Sequence, residues 1–329
     1  MDFELLSIGD ATMDVYLAPT ESETLCQLND RDALICFSYG DKIPVRNLDF
    51  SVGGNAANNA VGTRRLGIKS ALVSTLGEDI TGEDIIKKLE SEEVDTTFVI
   101  QQENANTNYS TVINYGGERT IFTFHAPRSY GFPVQLPIVP WVYLTSMGET
   151  FQPFYGHLVD WLKKNESVKL AFNPGSRQLR AGIEKLSDVM KASHLIYVNR
   201  KEAEILTGME DSYGKDKELL KVLHDLGPKI CIITDGGNGS FVYDGSRFIR
   251  AGILPVDAYE RTGAGDSFGS GCLAAIIKGK SFEEALLWGT VNSASVIGYI
   301  GAQKGLLHDS EIQPWLARAK SSEVKVEEF

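Results

Sequence analysis

The chain has 329 residues, 43% hydrophobic and 23% charged, enough for one large α/β domain or two smaller ones. A formal net charge of −12 argues against nucleic acid or an anionic membrane as the main partner, but not against an anionic cofactor held by backbone N–H groups and a metal. The four cysteines (Cys26, Cys36, Cys231, Cys272) form no close-spaced pair, Met1 to Leu6 has no basic leader, and no stretch reaches membrane-spanning length, so a cytoplasmic protein with free thiols is expected.

LLSIG (5–9) reads as a short buried strand ending in glycine, and 12–50 holds strand-like pieces such as DVYLA and ALICF. A helical stretch (56–67) leads into a compact apolar strand, SALVSTLG (70–77), and a helix over 82–92. Residues 97–124 alternate with period two around the turn signal YGGE. This stretch and 12–50 are expected to form one antiparallel sheet inserted in two pieces. HAPRSYGFPVQLPIVP (125–140) is the Pro-rich return to the body. Strands at 141–146, 168–173, 194–199 and 229–234 then alternate with helices over 152–164, 182–192, 200–208 and 215–226. Two adjacent helices, 265–278 and 282–298, follow, and SSEVKVEEF reads as a solvated tail or last helix edge.

Strands alternating with helices predict a three-layer αβα, Rossmann-like body around a mainly parallel sheet. The body takes in 1–11, 51–96 and 125–329; the pieces 12–50 and 97–124 form a small β-sheet that could cover a site as a lid.

Thr262–Gly263–Ala264–Gly265–Asp266 runs directly into an apolar helix. Amides of 263 to 266 at a helix N-terminus can converge on one anion, helped by the helix dipole. A carboxylate beside an anion site is a poor phosphate binder, so Asp266 either accepts a proton from a nucleophile attacking that phosphate or caps the helix. A dinucleotide fingerprint is excluded because Phe268 stands at the third glycine position.

TGAGDSFGSG resembles the C-terminal signature of the ribokinase-like, or PfkB, carbohydrate kinases. Four further segments resemble that family's motifs in the same order: GGNAANNAVGTRRLG (53–67), LGEDITGEDI (76–85), VNRKEAEILTG (198–208) and ITDGGNGSFV (233–242). The resemblance implies ATP-dependent phosphorylation of an alcohol with Mg²⁺, on an α/β body with a β-lid. It implies Asp266 as catalytic base and Gly263, Ala264 and Gly265 as anion hole. Gly54, Asn58 and Asp14 match sugar-contacting positions, with Asp10 as the rival of Asp14. Asn199 and Glu202, one helical turn apart, match the pair that organises Mg²⁺ through water, or else an ordinary helix start. Thr234, Gly236 and Gly239 match positions near the nucleotide, and Gly301 and Ala302 a loop on the adenine side. In the lid, Tyr109 and Arg119 either touch substrate or face outward. AFNPGSR (171–177) is similar to a ribokinase segment, though Asn-Pro-Gly is a common turn.

Two departures bear on the substrate and cofactors. Asn55 stands where ribokinases proper have lysine, which weakens the case for ribose. Glu260–Arg261 replaces the family's usual Asp-Thr/Ser pair, which puts a monovalent cation in doubt; the Arg261 guanidinium could replace it or point to solvent. The expected function is an ATP-dependent sugar kinase, with a nucleoside kinase on the same fold or an inactive sugar- or nucleotide-binding regulator as alternatives. Exposed lid edges suggest a homodimer.

Overall fold

The computed structural model describes residues 3–20, 25–27, 33–115 and 118–329. In chain order, β1 (Leu5–Ile8) is followed by β2 (Thr12–Pro19), β3 (Leu25–Gln27), β4 (Ala33–Ile35) and β5 (Val45–Gly53). Then come α1 (Asn55–Arg65), β6 (Ser70–Gly77), α2 (Ile80–Ser91), β7 (Asp95–Gln102), β8 (Tyr109–Tyr115) and β9 (Glu118–Phe124). The second half begins with β10 (Trp141–Leu144), α3 (Gln152–Lys164), β11 (Lys169–Phe172), α4 (Ser176–Ala181) and α5 (Ser187–Ala192). It continues through β12 (Ser193–Asn199), α6 (Arg200–Thr207), α7 (Asp216–Asp225), β13 (Ile230–Thr234), β14 (Ser240–Tyr243) and β15 (Phe248–Ala251). Helices α8 (Ala264–Ile277), α9 (Phe282–Val296) and α10 (Asp309–Ser321) precede β16 (Val326–Glu328).

Ten of these strands form one sheet, in the order β16-β15-β14-β13-β12-β11-β10-β1-β6-β7. The pairs from β13 to β7 are parallel, and β14, β15 and β16 add an antiparallel edge. Every residue of β1, β6 and β10 is buried, as strands covered on both faces require. Alternate side chains feed opposite layers. Leu6 and Ile8 join α3 and the helices α5 to α7 in one core, whereas Leu5 and Tyr143 join α8 and α9 in another. This is the three-layer αβα body expected from the alternation of elements. From β1 the chain builds outward in both directions, so the strand order reverses between β6 and β10. Crevices beyond the carboxyl ends of strands at such a reversal are where open α/β sheets bind ligands.

A second sheet, β5-β2-β8-β9, packs through Met13, Val15 and Val52 on α1 and α2. It differs from the expected antiparallel insert in four respects. The pair β2–β8 is parallel, although β2–β5 and β8–β9 are antiparallel as expected. Part of ALICF forms β4, which among the described residues pairs only with β3, in a separate two-stranded ribbon. Residues 97–102, assigned to the insert, lie in β7 and pair in parallel with β6 in the body. Residues 51–53, assigned to the body, end β5 in the small sheet. Gly116 and Gly117 of the YGGE signal lie outside the described residues.

The C-terminal tail is also corrected, because Val326–Glu328 pairs with β15 and closes the main sheet. The single helix expected over 182–192 is a 3₁₀ turn (Ile183–Lys185) followed by α5. No helix among the described residues is long and apolar enough to cross a membrane.

Candidate active site

The N-terminus of α8 is set by Gly263, which has φ 79°. A Cβ there would lie 2.5 Å from both Cα and Cβ of Ala302, so the left-handed turn and the close approach both require glycine. The Ala264 amide reaches back to the Arg261 carbonyl at 3.3 Å, so the expected anion hole has one amide partly committed. The amides of Gly263, Gly265 and Asp266 have no partner among the described residues. The Tyr197 hydroxyl, on β12, donates to the Gly265 carbonyl at 2.6 Å and fixes the loop from below.

Asp266 is the third residue of α8, and no side chain caps this helix, so the capping alternative is eliminated. Its carboxyl is half-buried, and burial pushes it up to about 6. The opposing influence is one hydrogen bond, from Asn58 Nδ2 to Oδ2 at 2.8 Å. Asn58, on α1, is itself buried, and its Oδ1 accepts from Gln303 Nε2 at 3.1 Å. Asn58, expected at the sugar, therefore directs its amide at the candidate base.

Asp14, on β2, faces the same space. Burial raises its carboxyl to about 6, the Ser110 hydroxyl bond opposes this, and the charges of Asp266 and Glu260 add to the rise. A Cβ on Gly53 would overlap Asp14 Oδ2, so the first glycine of the GGNAANN segment makes room for this carboxylate. Gly54 has φ 90°, and a Cβ there would lie 2.5 Å from the Asp10 carbonyl oxygen. It brings the start of α1 against the turn after β1. Asp10 does not share the space of Asp14: it is buried and accepts a hydrogen bond from the Tyr130 hydroxyl at 2.7 Å.

Asn199 and Glu202 form a reciprocal capping box on α6: Asn199 Oδ1 accepts from the Glu202 amide, and Glu202 Oε2 from the Asn199 amide, both at 2.9 Å. The half-buried Glu202 carboxyl is raised by burial and, to a lesser degree, by the charge of Asp266. Thr234 pairs with Asn199 where β13 meets β12. Gly236 and Gly239 flank a 3₁₀ turn with φ 50° and 89°. A Cβ on Gly239 would overlap the Ala251 carbonyl, so its need for glycine is structural, whereas Gly236 has open space. Arg200 Nε anchors the start of that turn through Asp235 at 2.8 Å.

The loop before α8 is braced by Glu260. Its buried carboxylate accepts from the Thr262 hydroxyl and, at 3.0 Å, from the Gly301 amide. The Arg261 side chain is exposed and its guanidinium makes no hydrogen bond or ion pair among the described residues, so of the two alternatives left for it the solvent-facing one holds. Ala302 is buried against Gly263. Tyr109 packs on the small sheet's core, and Arg119 is exposed. Sequence reasoning missed Gly53, Tyr197, Gln303 and the bracing by Glu260. Gly53 carried a signal as part of the Gly-Gly motif, and Glu260 as a departure from its own.

The pfkB family carbohydrate kinase profile matches residues 3–309. A ribokinase from Haemophilus influenzae is 30% identical over 292 residues, covering 85% of this chain and 92% of its own. Among solved structures, Arabidopsis thaliana ribokinase complexed with ribose and ATP superposes with TM-score 0.78 at 21% identity, covering 96% of this chain and 99% of its own. The nucleoside kinase of Methanocaldococcus jannaschii gives 0.74 at 20% identity, with the same coverages of 96% and 99%. These two structures share the fold.

Proposed function

The chain belongs to the pfkB family of carbohydrate kinases, and from that premise we propose that it transfers the γ-phosphoryl group of ATP to a sugar hydroxyl with Asp266 as general base. The observation that carries this reading is Asp266: a half-buried carboxyl raised to about 6, fixed through Oδ2 by Asn58, in the helix turn that holds the unpaired amides. A base poised near neutrality takes the acceptor proton as the oxygen attacks. Amides of the Gly263–Gly265 turn receive the charge of the transferring group, in a geometry fixed before reaction. Asp14 holds another acceptor hydroxyl, and Gly54 keeps α1 close to it. Asn199, Thr234, Gly236, Gly239 and Gly301 flank the nucleotide.

Glu202 fits a Mg²⁺ site. Its ionisation is opposed by burial and by a facing carboxylate, a charge balance that a cation relieves. The described residues offer no cluster of three or more metal-ligating side chains, which suits an ion that keeps water and takes phosphate oxygens. When bound, the ion offsets charge on the phosphates.

The small sheet is proposed as a lid that excludes water from the transfer. If so, substrate protects amides of β2, β5, β8 and β9 from exchange more than those of α3 or α7; equal protection everywhere removes the lid. Exposed Leu48, Phe50, Phe122 and Phe124 on this sheet support pairing of two copies through it, and light scattering that finds only monomer removes that pairing.

A coupled ADP-release assay over pentoses, hexoses, sugar acids, polyols and nucleosides tests the function, and turnover of sugars is expected. The M. jannaschii nucleoside kinase keeps nucleosides as the second reading, selected if they alone are turned over. Ligand binding without any turnover selects the inactive regulator, which the intact Asp266 opposes.

A further inference from the structure

A cavity of about 440 Å³ is lined by residues that include Gln102, His125, Arg128, Gly148, Glu149 and Arg177. Gln102 ends β7, Gly148 and Glu149 follow β10, Arg177 lies in α4 after β11, and His125 and Arg128 follow β9 of the small sheet. Two segments that the site above leaves without a role, the Pro-rich connection and AFNPGSR, supply His125, Arg128 and Arg177.

The cavity gathers basic groups that form no direct ion pair, although the chain as a whole is acidic. Arg128 is buried, and its Nη2 donates to the Asn106 carbonyl at 2.7 Å and to Asn108 Oδ1 at 3.3 Å. Its Nε and Nη1 are buried with no hydrogen-bond partner. Neither Arg128 nor the half-buried Arg177 makes an ion pair among the described residues. Burial and the charges of Arg177 and Arg128 hold the His125 imidazole below its ordinary range. Three carboxylates face them: Glu149 is exposed on the rim, Asp79 acts on Arg128 but is engaged by Thr107 and the Gly82 amide, and Asp10 is engaged by Tyr130, with its Oδ2 unpartnered and its carboxyl raised by burial to about 6. A buried guanidinium with two idle donors is costly unless a group from outside the chain pairs with it.

Hydrogen bonds link the cavity to the acceptor site. Asn108, held by Arg128, accepts the Met13 amide through its carbonyl at 3.1 Å, and two residues further on Ser110 bonds Asp14. The Asp10 carbonyl packs against Gly54.

We propose that the acceptor is an anionic sugar, a sugar acid or a sugar phosphate, whose carboxylate or phosphoryl group is bound by Arg128 and Arg177 in this cavity while one of its hydroxyls meets Asp266. The proposal rests on the kinase reading above. A guanidinium presents paired donors that match either group.

The test compares KM for D-ribose, D-fructose and D-glucose with KM for D-gluconate, D-glucuronate, ribose 5-phosphate and fructose 6-phosphate, in wild type, Arg177→Gln and Arg128→Gln. The preferred acceptor is expected among the anions; whether it is an acid or a phosphate ester identifies the group. Arg177→Gln raises its KM about 10- to 100-fold, the loss of a charge-assisted hydrogen bond, with KM for ATP unmoved. If Arg128→Gln fails to fold, Arg177→Gln carries the test alone. Neutral sugars with KM equal to or below that of every anion, or an unchanged KM in Arg177→Gln, overturn the proposal and leave the kinase reading standing. No ADP release with any member, neutral or charged, overturns the kinase reading, and this proposal with it.

Discussion

Asp266→Asn is expected to lower kcat by about 10²- to 10⁴-fold, the range for a lost general base, with ATP affinity little changed. Asparagine keeps the shape, and its side-chain oxygen can still accept from Asn58, so the geometry at Oδ2 survives. What goes is the ability to take a proton. The pH profile gives a second readout. The base works ionised, so wild-type kcat/KM should fall as pH drops through about 6. Asp14, raised to the same range, contributes to that limb. The variant should run at its low rate without the part due to Asp266. Its stability should move the other way. A carboxyl whose folded value is about 6 against 3.8 unfolded stabilises the fold fully only below 3.8, and that contribution is lost as pH rises through 6. Above pH 7 wild type carries the cost of a desolvated charge, so Asp266→Asn should melt no lower than wild type there. Near-normal turnover in the variant would return Asp266 to a structural role.

Gly263→Ala is expected to reduce kcat by about 10²- to 10³-fold, the loss seen when an oxyanion donor is displaced. The methyl would meet backbone as well as side chain of Ala302 at 2.5 Å, and φ of 79° is strained for any residue with a Cβ. The loop of Ala302 must then move. That loop also carries the Gly301 amide bonded to Glu260 and the Gln303 amide bonded to Asn58, so the shift reaches the partner of Asp266. Gly156→Ala, inside α3 with open space around the added Cβ, is the control and should leave turnover unchanged. Full activity in Gly263→Ala would show that the amides of this turn are not aimed at a reacting group.

The middle of the body was legible because strands buried on both faces leave continuous apolar runs such as LLSI and SALVSTLG. The edges were not. β14, β15 and β16 have three or four residues each, and β16, VEE, carries no apolar run. β7 sits at the edge with partly exposed residues, so DTTFVIQQ shows the alternation of a half-covered sheet and was grouped with its neighbours in sequence. The Thr262–Asp266 stretch was readable since an anion hole at a helix terminus is local in sequence. The bonds that tune Asp266 were not, because Asn58 reaches it from 208 residues away and is itself held by Gln303, 245 residues from Asn58 along the chain. The same applies to the cationic cavity, which gathers His125 and Arg128 from the Pro-rich connection and Arg177 from α4.

The central claim is that the γ-phosphoryl group goes to a sugar oxygen held at Asp266 and not to water. Phosphorus NMR of a reaction with ATP, Mg²⁺ and the accepted sugar tests it directly. A sugar phosphomonoester signal should grow in step with ADP, with inorganic phosphate below a few per cent of it. ADP accompanied by inorganic phosphate alone would contradict the account.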